Sequence, residues 1–147
     1  MNVSRLVLGL LFAGLASASV GAAPGCTPVI EKPWVRAAPP GAGTLAGYLV
    51  LRNPCATAAR LIGVESRDFG MPMIHRSATV DGVSRMRPAG DMVLAPGGTL
   101  SFAPGGLHLM LMKPLRTLRE GDQAGIRLVL ADGRRVFARF PVRRQAP

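Results

Sequence analysis

The sequence has little of the residue types on which most enzyme and zinc sites are built. Its 147 residues include two histidines, two cysteines and eight acidic residues. The cysteines stand alone, without the Cys-x-x-Cys pairing of structural zinc sites. No Ser/His/Asp or Cys/His arrangement is suggested, and no charged general base lies in register with the histidines. We therefore expect a protein that is not an enzyme.

Acidic residues are also outnumbered by basic ones. The formal charge is +10 at pH 7, and Lys32 and Lys113 are the only lysines beside the many arginines. Such a charge could serve nucleic acid or an acidic membrane surface. The arginines are scattered as singles and pairs, however, and only five Phe, one Trp and one Tyr accompany them. We therefore expect a solvated basic surface and no nucleic-acid partner.

Hydrophobic segments of membrane-spanning length are missing. The apolar segment Leu6–Leu15 is too short to cross a bilayer unaided. It follows Arg5 and precedes a run of small residues, which is the three-part pattern of a secretory signal peptide. We predict a signal peptide over residues 1–22, with cleavage after residue 18 or 22 as the two alternatives. Residues 23–147 are predicted to form one exported, soluble domain without stable membrane insertion.

Cys26 lies soon after the predicted cleavage region, which raises the alternative of a lipoprotein. The preceding Ala23-Pro24-Gly25 matches a lipoprotein signal poorly, because proline stands where a small residue belongs. In an oxidising compartment, a disulfide between Cys26 and Cys55 is the default expectation. Such a bridge would tie the start of the exported domain to the loop after the second predicted strand.

Glycine and proline are abundant, with 18 and 13 residues, and they divide the chain into short segments. Short alternating segments between turn residues are typical of an all-β sandwich or barrel. We predict a Greek-key β-sandwich of about eight or nine strands. Asp81-Gly82 predicts a tight hairpin, and Pro33 predicts that the first strand lies at a sheet edge. The predicted strands are Ile30–Arg36, Leu45–Arg52, Leu61–Ser66, Met71–Thr79, Val83–Arg87, Thr99–Phe102, Leu107–Met112, Ile126–Leu130 and Val136–Val142.

Histidine and methionine are concentrated between residues 71 and 112. This segment holds both histidines, His75 and His108, and six of the seven methionines. Neutral imidazoles and thioethers suit Cu(I) above all, whereas Mg²⁺ and Ca²⁺ prefer oxygen ligands. In a strand, His108, Met110 and Met112 face one side, and the intervening leucines face the core. The segment therefore predicts a copper site on one face of a strand.

The spacing of four of these residues carries a family resemblance. His75, Met86, His108 and Met110 form the pattern H-x10-M-x21-H-x-M, which resembles that of the periplasmic copper chaperones called PCu(A)C. The sequences Arg-Met-Arg-Pro around Met86 and Pro-Gly-Gly-Leu-His-Leu-Met-Leu around His108 also look like this family. The resemblance covers most of the predicted exported domain, from the strand that contains Trp34 to Phe140.

The resemblance implies a cupredoxin-like fold with a Cu(I) site close to solvent. Its implied ligands are His75, Met86, His108 and Met110. It further implies a periplasmic chaperone that delivers copper to the binuclear copper site of cytochrome c oxidase. Oxidase subunit II, a Sco-type thiol protein, or both, are the implied partners. Arg76 departs from the family, in which an acidic or polar residue commonly follows the first histidine.

The other methionines receive different interpretations. Met71 and Met73 precede His75, and we interpret them as an apolar shelter around the site, with transient ligation during transfer as a minor alternative. Met92 is expected in the core. For Met112 a core position and a place at the site are equally supported, because it shares the His108 face but lies outside the motif.

Arg85 and Arg87 flank Met86 in the sequence. The simpler interpretation is a solvated strand edge. A sharper hypothesis is that these two arginines steer the site towards an acidic partner surface, because charge at an interface acts mainly on the association rate.

Two other functions compete with copper delivery. A blue-copper electron-transfer site requires a cysteine thiolate beside its histidines, and only Cys55 could serve, far from the motif in sequence. The second alternative is a metal-independent, secreted β-sandwich interaction module that uses its basic surface. It predicts salt-sensitive binding to anionic polymers that is indifferent to His75→Ala.

Overall fold

The computed structural model describes residues 25–147, so the predicted signal peptide lies outside the described residues. Residues 25–147 form ten β-strands and no helix, which confirms the predicted all-β class. A membrane-spanning helix is accordingly absent from this part of the chain. The strands are β1 (Val29–Arg36), β2 (Thr44–Arg52), β3 (Ala59–Ser66), β4 (Phe69–Val80), β5 (Val83–Pro88), β6 (Met92–Leu94), β7 (Thr99–Phe102), β8 (Leu107–Pro114), β9 (Gln123–Leu130) and β10 (Arg135–Arg143).

The strands hydrogen-bond in the order β5-β4-β8-β7-β2-β1-β10-β9-β3-β6. A short parallel pairing of β1 with β10, at Val35↔Val142 and Arg36↔Arg143, joins the two halves of this order. Buried side chains from both halves, such as Leu109 of β8 and Leu128 of β9, belong to one hydrophobic cluster. The two halves therefore pack face to face as the layers of a sandwich.

The core follows the alternation predicted from the sequence. Leu107, Leu109 and Leu111 of β8 are buried, and the side chains between them face the opposite side of the sheet. The alternating apolar residues of β9 and β10 are buried in the same way, and Met92 packs against the core as predicted. Strand β8 is therefore anchored by its leucines, which fixes the position of His108 and Met110.

Strand β1 differs from its prediction as an edge strand. It lies in the middle of the strand order, between β2 and β10. Its pairing with β2 shifts register between Glu31 and Trp34, and Lys32 has a φ of 48° there. Pro33 sits inside this bulge, where no ladder hydrogen bond is required of it. The edge prediction therefore holds only for the segment around Pro33, which pairs with β2 alone, because β10 pairs with β1 only at Val35 and Arg36.

The β4–β5 hairpin is closed by the predicted Asp81-Gly82 turn. Both residues have positive φ, 52° and 74°, and Val80 pairs directly with Val83. Asp and Gly tolerate this left-handed conformation, which matches the twist of the flanking strands. The turn sets the hairpin register and so places Met86 opposite Ser77.

A disulfide joins Cys26 to Cys55, as predicted from the sequence. It links the residues before β1 to the loop after β2. The fully buried Asn53 organises that loop, because its side-chain amide donates to the carbonyl oxygens of Thr57, Leu94 and Ala95. Both cysteines of the chain are therefore engaged away from the histidines.

Candidate metal centre

The candidate centre is built on the antiparallel pairing of β4 with β8. His75 lies directly opposite His108, and Met73 lies directly opposite Met110. Directly opposite residues in antiparallel strands place their side chains on the same face. Met86 joins this face from β5, because its pairing partner Ser77 is two residues from His75 on β4. The register therefore brings together all four residues of the predicted motif.

His108 is oriented by a backbone hydrogen bond. Its side chain is 5% exposed, and its Nδ1 lies 3.0 Å from the carbonyl oxygen of Gly106. A carbonyl only accepts, so Nδ1 carries the hydrogen and Nε2 presents its lone pair. The buried Nε2 has no hydrogen-bond partner in the part of the chain that the structure describes. Such a fixed imidazole tautomer is a common feature of metal-binding histidines.

The ring nitrogens of His75 are buried without hydrogen-bond partners in the described part of the chain. This applies to both Nδ1 and Nε2. Burial lowers the pKa of His75 below its ordinary value, and the neighbouring His108 lowers this pKa further. Because the pKa of His75 is lowered, the ring is neutral at pH 7 and a nitrogen lone pair is available to an ion. Buried polar atoms without partners are costly, and a bound ion would provide such a partner.

The two imidazole rings are spaced for a shared ion. Their centroids are 6.1 Å apart, and the ring planes are inclined at 72°. With metal–imidazole bonds of about 2 Å, an ion lying between the rings would separate the centroids by roughly 6 Å. The three partnerless nitrogens and this spacing together fit a metal ion bound by one nitrogen of each ring.

The two motif methionines lie beside His108 at an open cavity of about 300 Å³. Met86 and Met110 both line this cavity, whereas His75 does not. The side chain of Met86 is 49% exposed, while Met110 is half-buried. The centre therefore has a buried nitrogen side and a sulfur side that solvent, or a partner protein, can reach.

An arginine that the sequence analysis did not single out forms one wall of this cavity. The guanidinium of Arg36 lies 5.8 Å from the ring centroid of Trp34 and 5.6 Å from that of Tyr48. The two rings stack on each other at 4.7 Å. Residue type alone could not reveal this wall, because it depends on the register of β1 against β2 and on the bulge in β1.

Arg85 and Arg87, which flank Met86, face away from the copper motif. They pair with Ala78 and Arg76, and all four residues line a second cavity of about 530 Å³ on the reverse of the hairpin. Alternation along β5 explains the separation, since neighbours of Met86 point to the opposite face. These arginines are therefore close to the candidate centre but do not touch it.

Metal sites built from His, Cys and carboxylate ligands alone are not found in the described part of the chain. Residues 25–147 contain no group of three or more His, Cys, Asp or Glu side chains placed to hold a metal ion. The donors at the centre are two imidazoles and two thioethers, all neutral. Such donors suit Cu(I) in preference to Zn²⁺, Mg²⁺ or Ca²⁺.

Solved structures with this fold place the chain in the class of PCuAC-type β-sandwich domains, which confirms the resemblance seen in the sequence. The copper-bound PCuAC domain from PmoF2 is 29% identical, with a TM-score of 0.62 over 80% of this chain and 92% of that one. The apo PCuAC domain from PmoF1 is 26% identical, with a TM-score of 0.64 over the same shares. CuI-DR1885 from Deinococcus radiodurans is 26% identical, with a TM-score of 0.64 over 87% and 84%.

The chain belongs to the family described as "Putative lipoprotein LpqE-like", whose sequence profile matches residues 29–142. A relative from Leifsonia xyli subsp. xyli (strain CTCB07), named "Putative lipoprotein Lxx21020", is 30% identical over 115 residues. That match covers 78% of this chain and 68% of the relative. The family match includes β1 to β10 and therefore the whole candidate centre.

Proposed function

We propose that this protein is an exported, non-enzymatic carrier of Cu(I), with His75, Met86, His108 and Met110 as the ligands. The observation that carries the proposal is the pair of buried imidazoles. They face each other at 6.1 Å and have three nitrogens without partners, beside two thioethers. The similar structures of copper-bound PmoF2 and CuI-DR1885 support copper as the cargo.

The donor set favours the monovalent ion. All four ligands are neutral, and soft thioethers bind Cu(I) without being lost to disulfides in an oxidising compartment. A blue-copper centre would need a thiolate, but Cys26 and Cys55 are bridged to each other. The centre therefore suits storage and transfer of Cu(I) better than electron transfer.

Unequal exposure of the ligands suggests how copper leaves. Met86 is the most accessible of the four, whereas His75 and His108 are held within the sheet. An acceptor's ligand would replace the Met86 sulfur first, because Met86 is the ligand most exposed to solvent. The imidazoles would then be displaced one at a time, so copper need not be released into solvent.

The destination of the copper follows from the resemblance to PCu(A)C chaperones. We propose delivery to the binuclear copper site of cytochrome c oxidase, directly through subunit II or through a Sco-type thiol protein. The lipoprotein descriptions of the family and of the relative support export. A periplasmic location is the one in which such a delivery would take place.

Anaerobic competition for Cu(I) against a chromogenic chelator tests the ligand set. The parent protein should withdraw one tightly held equivalent, and the Met86→Ala/Met110→Ala variant should fail to do so. Met92→Ala is the matched control, because Met92 packs against the core away from the cavity. Failure of the parent to compete would overturn the proposal and favour the metal-independent interaction module.

Delivery is tested separately from binding. The Cu(I)-loaded protein is mixed with a metal-free Sco-type protein or with the copper domain of oxidase subunit II. Transfer should proceed in the presence of the chelator without the chelator acquiring colour. If the protein binds Cu(I) but does not transfer it, the proposed copper carriage stands and these two acceptors are rejected.

A further inference from the structure

We propose that Met71, Met73 and Met112 form a second site, made of thioethers alone, for a soft monovalent metal ion. It adjoins the His/Met centre on the same face of the β4–β8 pair. Binding at this second site stands on its own geometry. Its role in loading the first site rests on the proposed copper carriage.

The register of β4 and β8 produces a ladder of soft ligands. The pairs are Met71↔Met112, Met73↔Met110 and His75↔His108, on three successive rungs of one face. Directly opposite residues in antiparallel strands have Cβ atoms about 4.5–5.5 Å apart. Flexible methionine side chains on adjacent rungs can therefore direct their sulfur atoms to one ion.

The ladder lies at an open part of the sheet. Strand β5 pairs only with residues 75–80 of β4, so no strand of the described residues lies on the outer side of Met71 and Met73. On the other side, β2 presents the small residues Thr44 and Ala46 opposite Met112 and Met110. This combination leaves room above the thioethers and gives solvent access to them.

Exposure argues against a role for these methionines in packing alone. Met71 is 40% exposed, and Met73 and Met112 are half-buried, whereas the leucines between them on β8 are buried in the core. Met92 is also partly buried but packs against the core cluster of the described residues, to which Met73 and Met112 do not belong. Three partly exposed thioethers side by side form instead a neutral, soft donor set that suits Cu(I) or Ag(I).

The ladder continues into the His/Met centre through Met110. Met110 lies opposite Met73 and two residues from His108, so it belongs to both groups. An ion bound between Met71, Met73 and Met112 can therefore exchange thioethers for Met110 and then reach the imidazoles. On the proposed function, this is a loading position at the opposite end of the centre from Met86.

Titration with Ag(I), a stable probe for Cu(I) sites, tests the second site by NMR of ¹³C-methyl methionine in the exported protein. The first equivalent should shift the methyl signals of Met86 and Met110, and the second should shift those of Met71, Met73 and Met112. In the Met71→Leu/Met112→Leu variant, the Met73 signal should no longer shift with the second equivalent, and the shifts of Met86 and Met110 should remain. Leucine conserves side-chain volume, and Met92→Leu serves as the matched control.

The outcomes separate the two proposals. Unmoved Met71, Met73 and Met112 signals through two equivalents would overturn the second site, whatever happens at Met86. Unmoved Met86 and Met110 signals would contradict the proposed copper centre, even if the second site binds Ag(I). A Met73 signal that still shifts with the second equivalent in Met71→Leu/Met112→Leu would also reject the thioether assignment.

Discussion

Among the four proposed ligands, Met86 has the most exposed side chain, with 49% of its surface exposed. Its replacement therefore removes little packing. We expect Met86→Leu to change the unfolding free energy of the metal-free protein by less than about 0.5 kcal/mol. The same variant should weaken Cu(I) binding, because leucine has no sulfur. Urea unfolding and chelator competition measure the two effects. A loss of stability with unchanged Cu(I) affinity would show that Met86 is structural.

The pH dependence of the metal-free protein follows from the lowered pKa of His75. The unfolded chain protonates this ring near its ordinary pKa of 6.5, at a higher pH than the folded protein does. The associated stability is present above that value and is lost as the pH falls through it towards the folded-state pKa. Glu65, Asp68 and Asp132 also have lowered pKa values, so their folded-state titrations lie below this window.

Urea midpoints between about pH 7.5 and pH 5.5 measure this effect. The midpoint of the metal-free parent should fall over this range. The fall should be smaller in His75→Gln, whose side chain stays neutral throughout. Equal pH dependence of the two proteins would mean that His75 is protonated as easily in the folded state as in the unfolded chain.

At the level of strands, the centre depends on the close approach of β2 to β8. A Cβ atom added at Gly47 would lie 3.2 Å from Leu109 Cβ and 3.2 Å from Leu111 Cδ1. Gly47→Ala should therefore displace β8 and cost about 1–3 kcal/mol of stability. It should also weaken Cu(I) binding, since β8 carries His108 and Met110. Gly63→Ala is the matched control, because nothing lies within 4 Å of its added Cβ. Equal unfolding midpoints for the two variants would reject this account.

The strands show what the sequence could and could not predict. The β8 leucines and the Asp81-Gly82 turn carry strong local signals, namely alternation and turn chemistry, and both predictions are confirmed. Pro33 predicted an edge position for the whole of β1, but only the segment around Pro33, which also contains the bulge, pairs with β2 alone. The Arg36 wall carries no local signal, because the register of β1 against β2 determines it. The Gly106 carbonyl is only two residues from His108, but its direction towards the ring follows from the backbone conformation and not from residue type.

The six-methionine segment illustrates the same limit. Its composition predicted a soft metal site, and the spacing of the motif picked out four residues. The opposition of Met71 to Met112 and of Met73 to Met110 depends on how β4 pairs with β8. A shift of one residue in that pairing would have moved each methionine against a residue of the opposite face. The ladder is therefore a property of the folded pair of strands.

For the molecule as a whole, the Cys26–Cys55 disulfide is separate from the metal chemistry. It closes a loop with a sequence separation of 29 residues. Cys26→Ser/Cys55→Ser should lower the unfolding free energy by roughly 3–4 kcal/mol. Below the unfolding transition, this variant should still bind one tight equivalent of Cu(I), because no thiolate is among the proposed ligands. Thermal unfolding and chelator competition measure these effects. Loss of copper from a folded variant would implicate the cysteines in binding.

The net charge of +10 acts on encounters with partners, and the arginines nearest the centre lie on the hairpin. Arg76, Arg85 and Arg87 cluster on the reverse of the hairpin, and none of them makes a salt bridge within residues 25–147. Arg85→Glu/Arg87→Glu reverses this local charge without changing the copper face. We expect slower copper transfer to an acidic acceptor and a weaker dependence of that transfer on salt.

Stopped-flow transfer rates over a range of salt concentrations measure this steering, and the control must change the net charge equally. Arg67→Glu/Arg139→Glu meets this requirement, because both arginines are exposed and line a cavity in the other half of the sandwich. If steering is local, only the hairpin variant should slow transfer strongly. The transfer rates of the two variants should become equal at high salt, because salt screens the charges. Equal slowing by both would show that net charge alone matters. Unchanged transfer rates in the hairpin variant would reject steering and favour the simpler interpretation of Arg85 and Arg87 as a solvated strand edge.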